Sequence, residues 1–84
     1  MNKRKLLAKA LARQGNFRFS EMVALVEAFG FHLSRVSGSH HIFVHPHIQE
    51  LVNIQNVNGK AKSYQIRQFL QIVEWYNLEL EDES

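Results

Sequence analysis

The chain has 84 residues, 45% of them hydrophobic, no cysteine, and ten Lys or Arg against eight Asp or Glu. That length holds one small domain, and the lack of cysteine excludes a disulfide framework and a thiolate metal site. No apolar run approaches the roughly 18 residues of a membrane span, and Leu6 to Ala8 is too short for a signal peptide. The expectation is a cytoplasmic protein with a core barely large enough to fold alone.

The net charge of +2 conceals an asymmetry. Residues 1–18 carry six basic side chains (Lys3, Arg4, Lys5, Lys9, Arg13, Arg18) and no acid, while the last six residues carry four acids. Without that tail, ten positive charges face only Glu21, Glu27, Glu50 and Glu74, a body of +6. A basic body attracts phosphate backbones, although a solvated face kept for solubility accounts for the same charges. The tail, Glu79 to Ser84, is expected to be mobile and dispensable for chemistry.

Along the chain, Lys3 to Gln14 places Leu7, Ala10 and Leu11 on one helical stripe and stops before Gly15, predicting a short helix or ordered arm. Ser20 is a suitable N-cap for the next helix. Glu21 suits its positive end, Met22, Leu25, Val26 and Phe29 recur at helical spacing, and Gly30 ends it. From Phe31 the period becomes two. A first strand to Val36 leads through a Ser37-Gly38-Ser39 turn into a second strand, His40 to His45, closed by Pro46. Glu50 to Gln55 reads as a third strand and Asn58-Gly59, with Lys60 and Lys62, as a loop. Ser63 then opens a helix with the stripe Ile66, Phe69, Leu70, Val73 and Tyr76. The sum is an α+β domain of α-β-β-β-α order, a two-layer sandwich with both helices on one face of a three-stranded antiparallel sheet.

Four of the five histidines lie between positions 40 and 47. A three-residue turn would pair Val36 with His40, Arg35 with His41, Leu33 with Phe43 and Phe31 with His45. The core side would then carry Phe31, Leu33 and Phe43, and His40 would lie on the uncovered face. Three accounts of these histidines compete. A metal site of His40, His45 and His47 runs past a proline and lacks a nearby carboxylate or cysteine. A structural account satisfies His41 and His45 by hydrogen bonds at a sheet edge. A catalytic account uses His40, at a turn open to substrate, to take and give protons near neutral pH. Spacing leaves all three open.

The segment Gly30-Phe31, then Arg35-Val36-Ser37-Gly38-Ser39-His40-His41-Ile42-Phe43, resembles the signature of the HicA mRNA interferase family. Asn53-Ile54-Gln55 followed by Gly59-Lys60-Ala61-Lys62-Ser63-Tyr64-Gln65-Ile66 is similar to the closing part of one branch of that family. The likeness runs from about Phe19 to Leu78. It implies a double-stranded-RNA-binding-like fold and a toxin that cleaves mRNA and is neutralised by a HicB-type antitoxin. It also implies that the catalytic histidine is the one directly after Gly-Ser, here His40. Ser63 departs from this branch, which often has proline there, and the Pro-His pair of many members after the third strand is missing.

RNA carries its own nucleophile, the 2′-hydroxyl, so cleavage needs a base, positive charge at phosphorus and an acid for the leaving 5′-oxygen. His40 is assigned proton transfer, without a cofactor or metal; the four body acids are too scattered for a two-metal site. Gly38 forms the turn, with a structural and a functional account of equal weight. Ser39 binds phosphate or caps the turn, and Lys60 and Lys62 hold phosphates or are simply solvated. Arg35 leans to the core side with its head exposed. Trp75, Tyr64 and Tyr76 are read as core aromatics before base-stacking ones. Two rivals remain: a non-catalytic RNA-binding module of the same fold, and an interaction protein whose basic face meets only an acidic partner.

Overall fold

The computed structural model of the chain describes residues 2–81. Its elements are α1 (Lys3–Ala12), a 3₁₀ turn (Gln14–Asn16), α2 (Phe19–Ala28), β1 (His32–Ser37), β2 (His40–His45), β3 (Ile48–Gln55) and α3 (Ser63–Trp75). The α-β-β-β-α order and the extra N-terminal helix are those the sequence pattern predicts. The strands form one antiparallel sheet in the order β1-β2-β3.

Asn2 caps α1 by accepting a hydrogen bond from the Lys5 backbone N–H at 2.9 Å. The buried stripe of α1 is Leu6 and Ala10, so it is rotated from the Leu7, Ala10, Leu11 stripe; Leu7 is half-buried and Leu11 is 64% exposed. The helix packs chiefly on α2, and contact with one neighbour needs only a narrow apolar stripe. α2 starts at Phe19 with Arg18 at its N-cap, which moves the predicted Ser20 cap into the first turn. Glu21 does the capping from within, accepting the Arg18 backbone N–H at 2.9 Å. Met22, Leu25 and Val26 are buried as their spacing predicts, and Gly30 ends the segment at φ +92°.

The core lies between the sheet and the two later helices. Phe43, Val52 and Ile54 supply the sheet side, Met22, Leu25 and Val26 the α2 side, and Ile66, Phe69 and Ile72 the α3 side. Phe31 is fully buried with its ring 5.5 Å from that of Phe69 at 73°, an edge-on pair of the kind that adds about 1 kcal/mol beyond burial. Tyr76, placed on the α3 stripe by periodicity, is exposed, and the predicted core aromatics Tyr64 and Trp75 are exposed too. Their surroundings explain it: Tyr64 sits in the first turn of α3, while Trp75 and Tyr76 stand at its end, beyond the core layer.

The hairpin differs from the three-residue turn. Ser37 pairs with His40, Val36 with His41 and Arg35 with Ile42, so the turn is only Gly38 and Ser39. Gly38 alone of the two has a left-handed φ, +61°, as a two-residue turn with glycine first requires. A bulge at Ser34 then restores the pairing of Leu33 with Phe43. Between bulge and turn every β1 side chain changes face, and Arg35 moves from the core side to the outer face. Leu33 lies on the helix side of the sheet but is 49% exposed, because every residue of β1 is exposed and the core layer stops short of that edge.

Residues 79–81 also depart from the expected tail. Leu80 packs against the core, the Glu81 N–H donates to the Ala28 carbonyl at 2.8 Å, and Lys3 Nζ donates to the Glu81 carbonyl at 3.2 Å. Burial of Leu80 and these bonds hold the segment across the end of α2. The rest of the expected tail, 82–84, lies outside the described residues.

Candidate active site

Strand alternation decides which histidines face the core. His41 pairs with buried Ile54, its ring is 4.7 Å from that of Phe19, and its Nδ1 lies 3.2 Å from the Ser39 carbonyl. His45 packs edge-on to Phe31 at 5.0 Å, and its Nδ1 accepts the His47 backbone N–H at 3.1 Å. Both take a structural role, but on the central strand and not at a sheet edge, because β2 is flanked by β1 and β3. His40, beside His41 in sequence, points to the opposite, helix-free face. It stands about 17 Å along the strand from His45 at the usual rise per residue. The His40, His45, His47 set is therefore not brought together, whereas the His45 and His47 rings are neighbours at 5.8 Å.

His40 is half-buried at the first position after the turn, with Nδ1 3.1 Å from Asn53 Oδ1. Asn53 pairs with Ile42, so Asn53, Ile42 and Arg35 share the outer face with His40. Ser37 and Gln55 are the residues opposite His40 on the two neighbouring strands. Behind Gln55 is Gln65, the only buried polar residue among those described: its Oε1 accepts the Gln55 N–H at 2.8 Å and its Nε2 donates to Tyr64 Oη at 3.3 Å. That pairing satisfies a polar side chain that burial would otherwise penalise, and it locks the start of α3 to the strand beside His40.

The loop after β3 is more ordered than a solvated linker. Asn58 and Gly59 both have positive φ, +53° and +81°, in a two-residue turn closed by the Val57–Lys60 pair. The turn docks on the entry to α2, where the Gly59 carbonyl accepts the Phe19 N–H at 2.9 Å and the Ala61 N–H donates to the Phe17 carbonyl at 3.1 Å. Its first residue reaches the β1–β2 turn, the Asn56 N–H donating to the Ser39 carbonyl at 3.1 Å. Lys60 is exposed there and its backbone pairs with that of Arg18, also exposed, so two basic residues stand at the His40 end of the sheet. Lys62 is the N-cap of α3, half-buried, with Nζ 5.7 Å from the centre of the Tyr64 ring. Ser39 is exposed and contributes its backbone carbonyl, to Asn56 and His41, rather than its hydroxyl.

Of the residues the sequence singles out, His40, Gly38, Ser39 and Lys60 lie at the turn end of the sheet and Lys62 at the start of α3, while Asn53, Gln65, Arg18 and the outward turn of Arg35 are not picked out from sequence. Asn53 carries a usable signal: period-two alternation from buried Val52 and Ile54 puts it on the outer face. The Ser34 bulge leaves none.

A helix, a three-stranded meander and a second helix stacked on one side make a two-layer α+β domain, an arrangement consistent with the double-stranded-RNA-binding-like fold. A family model described as the HicA toxin of bacterial toxin–antitoxin systems matches residues 19–75, more than half of the chain. The chain belongs to the HicA toxin family and so to the toxin side of a toxin–antitoxin pair. Neither the curated proteins nor the solved structures gave a match. No helix among the described residues is long and apolar enough to cross a membrane.

Proposed function

We propose that the protein is a metal-independent endoribonuclease that cuts mRNA with His40 as its proton-transfer residue and is neutralised by a HicB-type antitoxin in the cytoplasm. The observation that carries this reading is the placement of His40. It stands on the uncovered face at the open β1–β2 turn, beside the loop that carries Lys60 and pairs with the backbone of Arg18, whereas His32, which shares that face, lies at the far end of β1.

Laid on that face, an RNA strand offers its 2′-hydroxyl to the His40 ring. His40 takes the hydroxyl proton, the 2′-oxygen attacks the adjacent phosphorus, and the bond to the 5′-oxygen breaks. The leaving oxygen takes up a proton, leaving a 2′,3′-cyclic phosphate and a 5′-hydroxyl. Cations at the same end of the sheet stabilise charge on the phosphoryl oxygens. The nucleophile is internal to the substrate, so no step asks for a metal-bound hydroxide. Glu21 is paired with Lys9 at 2.8 Å, and Glu50 meets Tyr76 Oη at 3.2 Å, toward the end of β3 away from His40.

Expression in a bacterial host without the antitoxin tests the toxin reading. Wild-type protein arrests growth with loss of mRNA, and His40→Ala does neither. Two harmless proteins that both bind RNA would favour a non-catalytic RNA-binding module. Cleavage in excess chelator proceeds at the wild-type rate; loss of cleavage that magnesium restores would contradict the metal-independent step.

A further inference from the structure

His40 is held by one side chain. Its Nδ1 lies 3.1 Å from Asn53 Oδ1, and an amide oxygen only accepts, so the contact is a hydrogen bond when Nδ1 carries the proton. A neutral histidine free in water prefers the other arrangement, with the proton on Nε2, so the contact reverses the solution preference. The sheet builds the contact. Asn53 is paired with Ile42, two residues along from His40, which makes Asn53 and His40 diagonal neighbours on one face. Among the described residues nothing else bonds the His40 ring, and Nε2 has no protein partner.

We propose that Asn53 is a positioning residue for cleavage: it fixes the His40 ring in the Nδ1–H tautomer, so that Nε2 carries the lone pair that takes the 2′-hydroxyl proton. The inference rests on His40 being the base. Transfer of the 2′ proton to Nε2 converts the neutral ring to imidazolium, and the Nδ1–H bond to Asn53 persists through the step. The acceptor is therefore in place before charge develops and needs no rearrangement. Without it the ring is free to rotate about χ2 and to put its proton on Nε2, which would leave the base on the nitrogen nearer the backbone.

Charge at this position follows from the sheet register. The residues opposite or diagonal to His40 are Ser37 and Arg35 on β1 and Gln55 and Asn53 on β3, so Arg35 is the charged one. Asn53→Asp keeps an acceptor against Nδ1 and adds a negative charge, which favours the imidazolium and raises the pH at which the base becomes available. Asn53→Leu keeps the bulk and removes the acceptor.

The tautomer is read directly by two-bond proton–nitrogen correlation on 15N-labelled protein at alkaline pH. Wild type shows the Nδ1–H form at His40, and Asn53→Leu shows a shift toward Nε2–H. In cleavage of a model RNA, Asn53→Leu lowers kcat by roughly tenfold or more with little change in KM. Asn53→Asp retains cleavage, with the acid limb of its pH–rate profile displaced upward. An Nε2–H ring in the wild type, or an Asn53→Leu protein with wild-type kcat and pH profile, would overturn the positioning role. Neither result touches the His40→Ala comparison. Cleavage by His40→Ala would remove the base itself, and the role of Asn53 with it, whatever tautomer the spectrum shows. Asn53 is exposed, and the wild-type spectrum needs no variant to fold.

Discussion

Gly38 carries the conformational demand of the hairpin that presents His40. Its φ is +61°, and a Cβ built there would meet nothing within 4 Å, so the requirement is for backbone freedom and not for space. Gly38→Ala is expected to cost about 1 kcal/mol, read as a lower urea midpoint at unchanged slope. Gly38→Asn loses less, because asparagine tolerates the left-handed region. This residue was legible from its Ser-Gly-Ser setting, and His40 from its place directly after it. The acceptor Asn53 was not, because a diagonal contact across two strands depends on a register that the local sequence does not determine. Nor was the role of Glu21 in place of Ser20: both residue types favour a helix start, and only the direction of chain entry chooses between them.

At the scale of elements, one ion pair ties the N-terminal helix to the domain. Lys9 Nζ lies 2.8 Å from Glu21 Oε1 and 2.9 Å from Oε2, both side chains being mostly shielded. The Lys9 hydrogen bond is the main reason the Glu21 carboxyl is held below its ordinary value of 4.5, with the Arg18 backbone N–H assisting against the cost of burial. A lowered carboxyl pKa stabilises the fold at pH above the unfolded value, and that contribution disappears as pH falls through the folded one. Glu21→Gln is therefore less stable than wild type at neutral pH, by about 1 kcal/mol as capping and a partly shielded pair together suggest. The gap narrows as the pH falls below 4.5 and through the lowered folded-state pKa of Glu21, as paired denaturation curves would show. The loop after β3 gives a second prediction at this scale. Lys60→Ala weakens RNA binding and lowers the slope of log K against log salt by about one contact. Lys62→Ala changes that slope less, since its ammonium lies over the Tyr64 ring. Element order was written in the alternation and helical periods, and the Asn58-Gly59 turn in its dipeptide. The Ser34 bulge, which sends Arg35 to the outer face, was hidden because an extra residue in an exposed edge strand breaks no hydrophobic pattern.

For the whole molecule, division of labour between the two sides of the sheet is the organising feature. One side is covered by α2 and α3 and takes His41 and His45 as packing partners; the other is bare and receives His40, Asn53 and Arg35. The covered side is filled by the core, so the proposed cleavage is assigned to the open face. The charge balance suits the same substrate: among the described residues the cations Arg18 and Lys60 gather at the His40 end, while Glu81 is drawn to the opposite end of α2, beside Lys3. The central claim is that His40 performs the proton transfer of RNA cleavage. It is tested most directly by incubating purified wild-type and His40→Ala protein with an end-labelled RNA and identifying the new 3′ ends. Wild type should give fragments ending in 2′,3′-cyclic phosphate, and His40→Ala should leave the RNA intact while still binding it. Cleavage by the variant at the wild-type rate, or wild-type fragments that end in a 3′-hydroxyl, would contradict it.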